Sequence, residues 1–277
     1  MAKYQDFTCV KVEIDEEGIT WVTFNRPEKR NAMNPTLHFE MLEIMTALEN
    51  DNDCKVIVLT GAGNSWSAGM DLKEYFRETE NNPDLGFRAT MAHRYWATYV
   101  TNWSKKPTIA MVNGYCFGGA FHSLAHCDIV VSADEATYGL SEVNWGIIPG
   151  GNVAKVFNNL VNHRDALFYA MTGRTFDGQK AVEMGVANIS VPLAQLKEET
   201  IKICRELMEK SPMVLAYTKQ CVRAVQGMDM TESFEYLGAK ALALRTVDPR
   251  KTRATGMEEF LDKKTYRPGL QAVKKTS

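Results

Sequence analysis

The chain has 277 residues, 45% of them hydrophobic and 24% charged, which is enough apolar material for a sizeable core and somewhat more than one average domain. A formal net charge of −2 leaves no general basic field to draw nucleic acid or an anionic membrane surface, so no nucleic-acid or membrane partner is expected. Six cysteines, at 9, 54, 116, 127, 204 and 221, form no CxxC or tight framework, the N-terminal MAKYQDFTCVKVEI has no apolar signal core, and no run approaches a membrane span, so a soluble cytoplasmic protein with reduced thiols is expected.

Residues 7–14 and 19–24 are β-rich runs around Asp15-Glu16-Glu17-Gly18, which predicts a hairpin. Asn34 before Pro35 reads as an N-cap with proline at the first helical position, and Leu37, Met41, Ile44 and Leu48 follow at helical spacing to about Asn50. KVIVLT (55–60) is a buried strand, and GAGNSWSAGMD after it reads as a loop. Residues 71–80 read as helical, and after the break at Asn81-Asn82-Pro83 a second helix is predicted over 85–103. PTIAMV (107–112) is a strand, the Gly118-Gly119 pair opens a helix over 119–126, and DIVVSA (128–133) is a third comparable strand. From Val153 the pattern is nearly all helical, interrupted by the extended NISVPL, with helices over 194–210, from Ser211-Pro212, from Thr231, and over 249–263. The plan is an α/β core over 1–200 followed by a helical region over 201–277.

Familiar signatures fail on inspection. Gly61-Ala62-Gly63 follows a strand, but Trp66 stands where a dinucleotide fingerprint needs its third glycine. There is no GxxxxGK[ST], and Ser65 is not in GxSxG. His122 and His126 have the spacing of two zinc ligands, but Ser123 replaces the glutamate of HExxH, so they are read as helix residues with separate packing roles and no metal is expected.

Gly118-Gly119 lets backbone approach a ligand closely, and the first N–H groups of a helix have no partner within it. Ala68-Gly69-Met70-Asp71 is a second glycine-containing loop that opens a helix. Two such loops are either tight turns or the two converging donors of an oxyanion hole. Glu142, in TYGLSEVNWGIIPGG, is flanked by Leu140, Val143 and Trp145. It is either a solvated loop glutamate or a carboxylate whose apolar surroundings raise its pKa toward acid/base duty.

NRPEKRNAM, WSAGMDLKE, KPTIAMVNGYCFGGA, CDIVVSADEATYGLSE and GIIPG, in this order across about residues 10–265, resemble the enoyl-CoA hydratase/isomerase (crotonase) superfamily. Within it, SAGMDLKEYFRE, ATYGLSEVNWGIIPGGNV, TGRTFDGQKAVEMG and the terminal RPGLQA are similar to the hydroxycinnamoyl-CoA hydratase-lyases. The resemblance implies a spiral of ββα units and a helical C-terminal region that assembles trimers or dimers of trimers. It implies hydration of a feruloyl-, coumaroyl- or caffeoyl-CoA and retro-aldol cleavage to an aromatic aldehyde and acetyl-CoA, with no metal or other cofactor. Plain enoyl-CoA hydration or isomerisation is the alternative, and a catalytically silent scaffold or RNA-binding member a third.

Residue by residue, the resemblance puts the oxyanion donors on Met70 and Gly119. The hydratases' two glutamates fall on His122 and Glu142, so only the second is kept. Lys29, Ala68 and Leu72 match CoA-holding positions, Ser141 and Trp145 match the acyl pocket, and Tyr75 matches a tyrosine that reads the ring hydroxyl. A second such tyrosine is implied at Gly238, with Tyr236 two residues earlier, roughly 200° around a helix.

Overall fold

The computed structural model describes Tyr4 and residues 6–265; the RPGLQA segment lies outside the described residues. The hairpin forms as expected, β1 (Val10–Ile14) antiparallel to β2 (Ile19–Phe24). Asp15 Oδ1 closes its turn by accepting from the N–H groups of Glu17, Gly18 and Ile19 at 2.9–3.0 Å. Helix α1 (Pro35–Glu49) is capped by Asn34 Oδ1, which accepts from Leu37 N–H at 2.8 Å.

β3 (Val56–Gly61), β5 (Thr108–Val112) and β7 (Ile129–Ala133) extend the sheet in parallel, and β10 (Ile189–Val191) ends it, giving the order β1-β2-β3-β5-β7-β10. Every residue of β3 and β5 is buried, as their unbroken apolar runs require of strands covered on both faces.

The sequence reading missed a second sheet. β4 (Ser65–Ser67), β6 (Tyr115–Phe117), β8 (Thr137–Gly139) and β9 (Thr175–Phe176) form it in that order, the first three mutually parallel. Strands of two or three residues are too short for a period to show. The supposed loop at 61–71 therefore contains a strand, and Trp66 within it is fully buried, its indole N–H donating to Leu59 O at 3.1 Å. The chain alternates between sheets, β3 to β4, β5 to β6, β7 to β8, with a helical segment after each pair: a spiral of ββα units.

The expected helix at 71–80 is a wide turn, Leu72–Arg77, running into α2 (Glu78–Glu80). The expected helix at 85–103 is α3 (Pro83–Arg94), a second wide turn Tyr95–Val100, and α4 (Thr101–Trp103). α5 (Ala120–His126) follows β6, and α6 (Val153–Leu160), α7 (His163–Thr172) and α8 (Gly178–Glu183) surround β9. α9 (Leu193–Met208) buries Leu196, Thr200, Ile203 and Cys204, and spans residue 200. α10 (Pro212–Ala224) is tied to the core by Asp128, which takes Lys219 Nζ at 2.8 Å and Arg223 Nη2 at 2.7 Å. α11 (Met230–Val247) and α12 (Thr252–Leu261) bury none of their residues within the chain. Among the described residues no helix is long and apolar enough to cross a membrane.

Candidate active site

β4, β6 and β8 run parallel as neighbours, so their C-terminal ends lie side by side and the loops leaving them share one cleft. Those loops carry Met70, Gly118-Gly119 and Glu142, each within three residues of its strand's end. Side chains that open onto the cleft enclose about 1480 Å³.

The Met70 loop is clamped from outside. Met33 N–H donates to Gly69 O at 2.7 Å, and Asp71 N–H donates to Met33 O at 3.0 Å. In such a parallel pairing the intervening residue turns its own N–H away from the partner strand. Asp71 caps the next turn by accepting from Lys73 and Glu74 N–H, and its other oxygen takes Arg26 Nη1 at 2.9 Å. Arg26 also binds Glu74 at 2.6 Å, and Glu74 takes Asn34 Nδ2 at 2.6 Å. Asn31, buried in a left-handed conformation at φ 55°, ties this turn to the 61–65 corner through Ala62 O and Ser65 O.

Opposite stands the glycine turn. A Cβ added at Gly119 would lie 2.9 Å from Cγ of the Met70 side chain, and one added at Gly69 would lie 2.6 Å from Phe117 O and 3.1 Å from Gly119 N, so it is the bare Gly69 that lets the two backbones come this close. Neither the Met70 nor the Gly119 N–H has an acceptor among the described residues. Two adjacent free donors, not merely two tight turns, are what the loops provide.

Glu142 completes the arrangement. A Cβ on Gly118, whose φ is +51°, would sit 3.1 Å from Glu142 Oε1; the carboxylate lies directly over that turn. Glu142 is 9% exposed, its Oε2 is sealed without a hydrogen-bond partner, and burial raises its pKa above the ordinary carboxylate value. It is not a solvated loop glutamate. A buried, underpaired carboxylate over two free N–H groups is equipped to move a proton next to an oxygen that becomes negative.

Of the other predicted residues, Lys29, Ala68, Leu72, Tyr75, Ser141 and Trp145 all line the same cleft. Gly238 does not: it lies on α11 with open space around it and no part in the cleft of this chain.

His122 and His126 do not have separate roles. They join His38 of α1 and His93 of α3 in one group, buried except for the half-buried His126, with ring centroids 4.6 Å apart for His38–His93 and 4.8 Å for both His93–His122 and His122–His126. His122 Nε2 bonds Thr98 Oγ1 at 3.1 Å, and its Nδ1 bonds His93 Nε2 at 3.2 Å. Burial holds all four pKa values down, helped by neighbouring imidazoles at His38, His93 and His122 and by the Arg223 charge at His126; that of His122 falls to about 4 and that of His38 to about 3, so the cluster is neutral at physiological pH. Sequence reasoning could not assemble it, because three of its contacts join residues 24 to 55 positions apart.

The chain matches the enoyl-CoA hydratase/isomerase family over residues 15–267. It belongs to that family. It is 51% identical over 277 residues, 99% of this chain and all of the relative, to the hydroxycinnamoyl-CoA hydratase-lyase of Pseudomonas fluorescens. Among solved structures, the enoyl-CoA hydratase of Bacillus anthracis superposes with a TM-score of 0.83 at 25% identity, covering 94% of this chain and 98% of that one. Enoyl-CoA hydratase subunit I of Geobacillus kaustophilus gives 0.81 at 26% identity, with 96% and 98% covered. The family's spiral fold is therefore the fold of this chain.

Proposed function

We propose that the protein is a hydratase-lyase that converts a hydroxycinnamoyl-CoA into an aromatic aldehyde and acetyl-CoA. The observation that carries the substrate class is the 51% identity, over nearly the whole chain, to a hydratase-lyase of that name. The site geometry supports the chemistry. With the thioester oxygen held by the Met70 and Gly119 N–H groups, ionised Glu142 takes a proton from water as the water oxygen bonds to Cβ. The electron pair moves to the thioester oxygen as an enolate, and Glu142 returns the proton to Cα. In the second stage Glu142 removes the β-hydroxyl proton, the Cα–Cβ bond breaks, and the aldehyde forms as the pair returns to the enolate of acetyl-CoA. Protonation of that enolate by Glu142 resets the site. Both stages develop negative charge on one oxygen, so one donor pair serves both, each N–H worth roughly 3–4 kcal/mol. No step calls on a metal or redox cofactor.

Lys29, Ala68 and Leu72 hold the CoA portion in this reading, while Tyr75, Ser141 and Trp145 line the acyl portion. α11 and α12, which expose Phe234, Leu242 and Phe260, form the contact of a trimer or dimer of trimers in the cytoplasm. Incubation with feruloyl-CoA is expected to release vanillin and acetyl-CoA in equal amounts. Accumulation of the 3-hydroxyacyl thioester without aldehyde would leave plain hydration as the activity.

A further inference from the structure

α3 presents a stripe to the cleft at Pro83, Gly86, Phe87, Thr90, His93 and Arg94, the spacing of one helix face. Two of its polar members matter for an aromatic substrate. Thr90 Oγ1 is paired with the Tyr75 hydroxyl at 2.9 Å, which fixes that ring against the helix. His93, one turn on, bonds His122 through Nε2 alone. Its Nδ1 has no partner among the described residues, yet it is not among the sealed unpartnered atoms of the core, unlike His38 Nε2. His93 lines the cleft, and Nδ1 is the ring nitrogen it has left for a ligand there.

We propose that His93 is the side chain that hydrogen-bonds the ring hydroxyl of the aryl substrate, and so sets the preference for hydroxylated over plain cinnamoyl groups. The proposal rests on the functional reading above for its aromatic substrate. Three features fit His93 for the task. Gly238 brings no hydroxyl-reading group into the cleft, so a second polar contact beside Tyr75 must come from elsewhere. His93 is 6% exposed among buried rings, where an unmet hydrogen bond is costly, so a ring without the hydroxyl is penalised. The chain Thr98–His122–His93 also runs in either direction. If the Thr98 hydroxyl donates to His122 Nε2, His122 Nδ1–H donates to His93 Nε2 and His93 presents Nδ1–H. If His122 Nε2–H donates to Thr98, His93 Nε2–H donates to His122 and Nδ1 presents a lone pair. Neutral rings at both positions keep the two forms available, so His93 can accept from a phenol or donate to a phenolate.

The test compares 4-hydroxycinnamoyl-CoA with cinnamoyl-CoA in the parent enzyme, His93→Leu, His93→Gln and Thr98→Val. His93→Leu is expected to lower kcat/KM for the hydroxylated thioester by about 100-fold while leaving the plain one within about threefold, so that the preference collapses. His93→Gln, which keeps a donor and an acceptor, is expected to restore most of the preference. In a Glu142→Gln background, where the thioester persists, bound 4-hydroxycinnamoyl-CoA should absorb at longer wavelength than in water by more than bound cinnamoyl-CoA does, and adding His93→Leu should remove that excess. Equal losses on both thioesters, or an undiminished preference, would overturn the proposal by reducing His93 to a wall of the pocket. If the leucine variant does not fold, Thr98→Val decides: it must lower the preference severalfold, and an unchanged ratio overturns the proposal. Absence of aldehyde from either thioester with the parent enzyme would instead remove the functional reading itself.

Discussion

Replacing Glu142 by glutamine keeps the side chain's size and removes its charge and basicity. Loss of a positioned acid/base group costs about 10²–10⁴ in rate, or about 3–5 kcal/mol of barrier. Stability should move the other way. Glu142 Oε2 is sealed without a partner, and an unsatisfied buried group costs about 1–3 kcal/mol, more when charged. The amide leaves an unsatisfied group but not a charged one, so a gain of about 1 kcal/mol is expected, or about 2–4 °C in Tm for a domain of this size. The sign with pH follows from the raised pKa: the folded state disfavours the ionised form, so the parent's penalty is present at pH 8 and fades as pH falls through the folded value. The glutamine variant's advantage should therefore be largest at pH 8 and vanish under acid. Aldehyde release measured beside thermal unfolding at pH 8 and pH 5 checks both halves. Activity within tenfold of the parent, or a Tm lowered by several degrees at pH 8, would refute the assignment.

Gly119→Ala places a methyl 2.9 Å from Met70 Cγ and should part the two donors, lowering kcat by about 10²–10³ with little change in KM; single-turnover kinetics with a hydroxycinnamoyl-CoA would show it. The histidine cluster predicts acid sensitivity. His38 and His122 have folded pKa values of about 3 and 4, below the unfolded value near 6.5, so their contribution is complete above that pH and is lost as pH falls beneath it. At pH 5 each should have cost about 2 kcal/mol, readable as a lower urea midpoint than at pH 7.5. An unchanged midpoint would show that the rings are charged or solvated.

The long elements were legible because each carries its own period or cap: Asn34-Pro35 at the head of α1, the apolar runs of β3, β5 and β7, the glycine pair before α5. The second sheet was not, since Ser65–Ser67 and Thr137–Gly139 are strands only through their neighbours. Yet that sheet brings Met70, Gly119 and Glu142 together, and only the family resemblance, with its spiral of ββα units, anticipated it; no local pattern in the sequence did. Glycine signals a close approach without saying to what; the answer for Gly119 is Met70, 49 positions away. The buried Arg26–Asp71–Glu74–Asn34 network and the histidine cluster were invisible for the same reason, being built from residues whose local context is ordinary.

The loops that carry Met70, Gly119 and Glu142 leave one short sheet, whereas one wall of the cleft comes from a separate helix, α3, with its stripe from Pro83 to Arg94. In the proposed reading, part of what the enzyme accepts is thus written apart from the groups that react. Substitutions along α3 can trade one aromatic ring for another while Met70, Gly119 and Glu142 stay as they are. A library confined to Gly86, Phe87, Thr90 and His93 should accordingly be rich in variants of altered substrate range and poor in inactive ones.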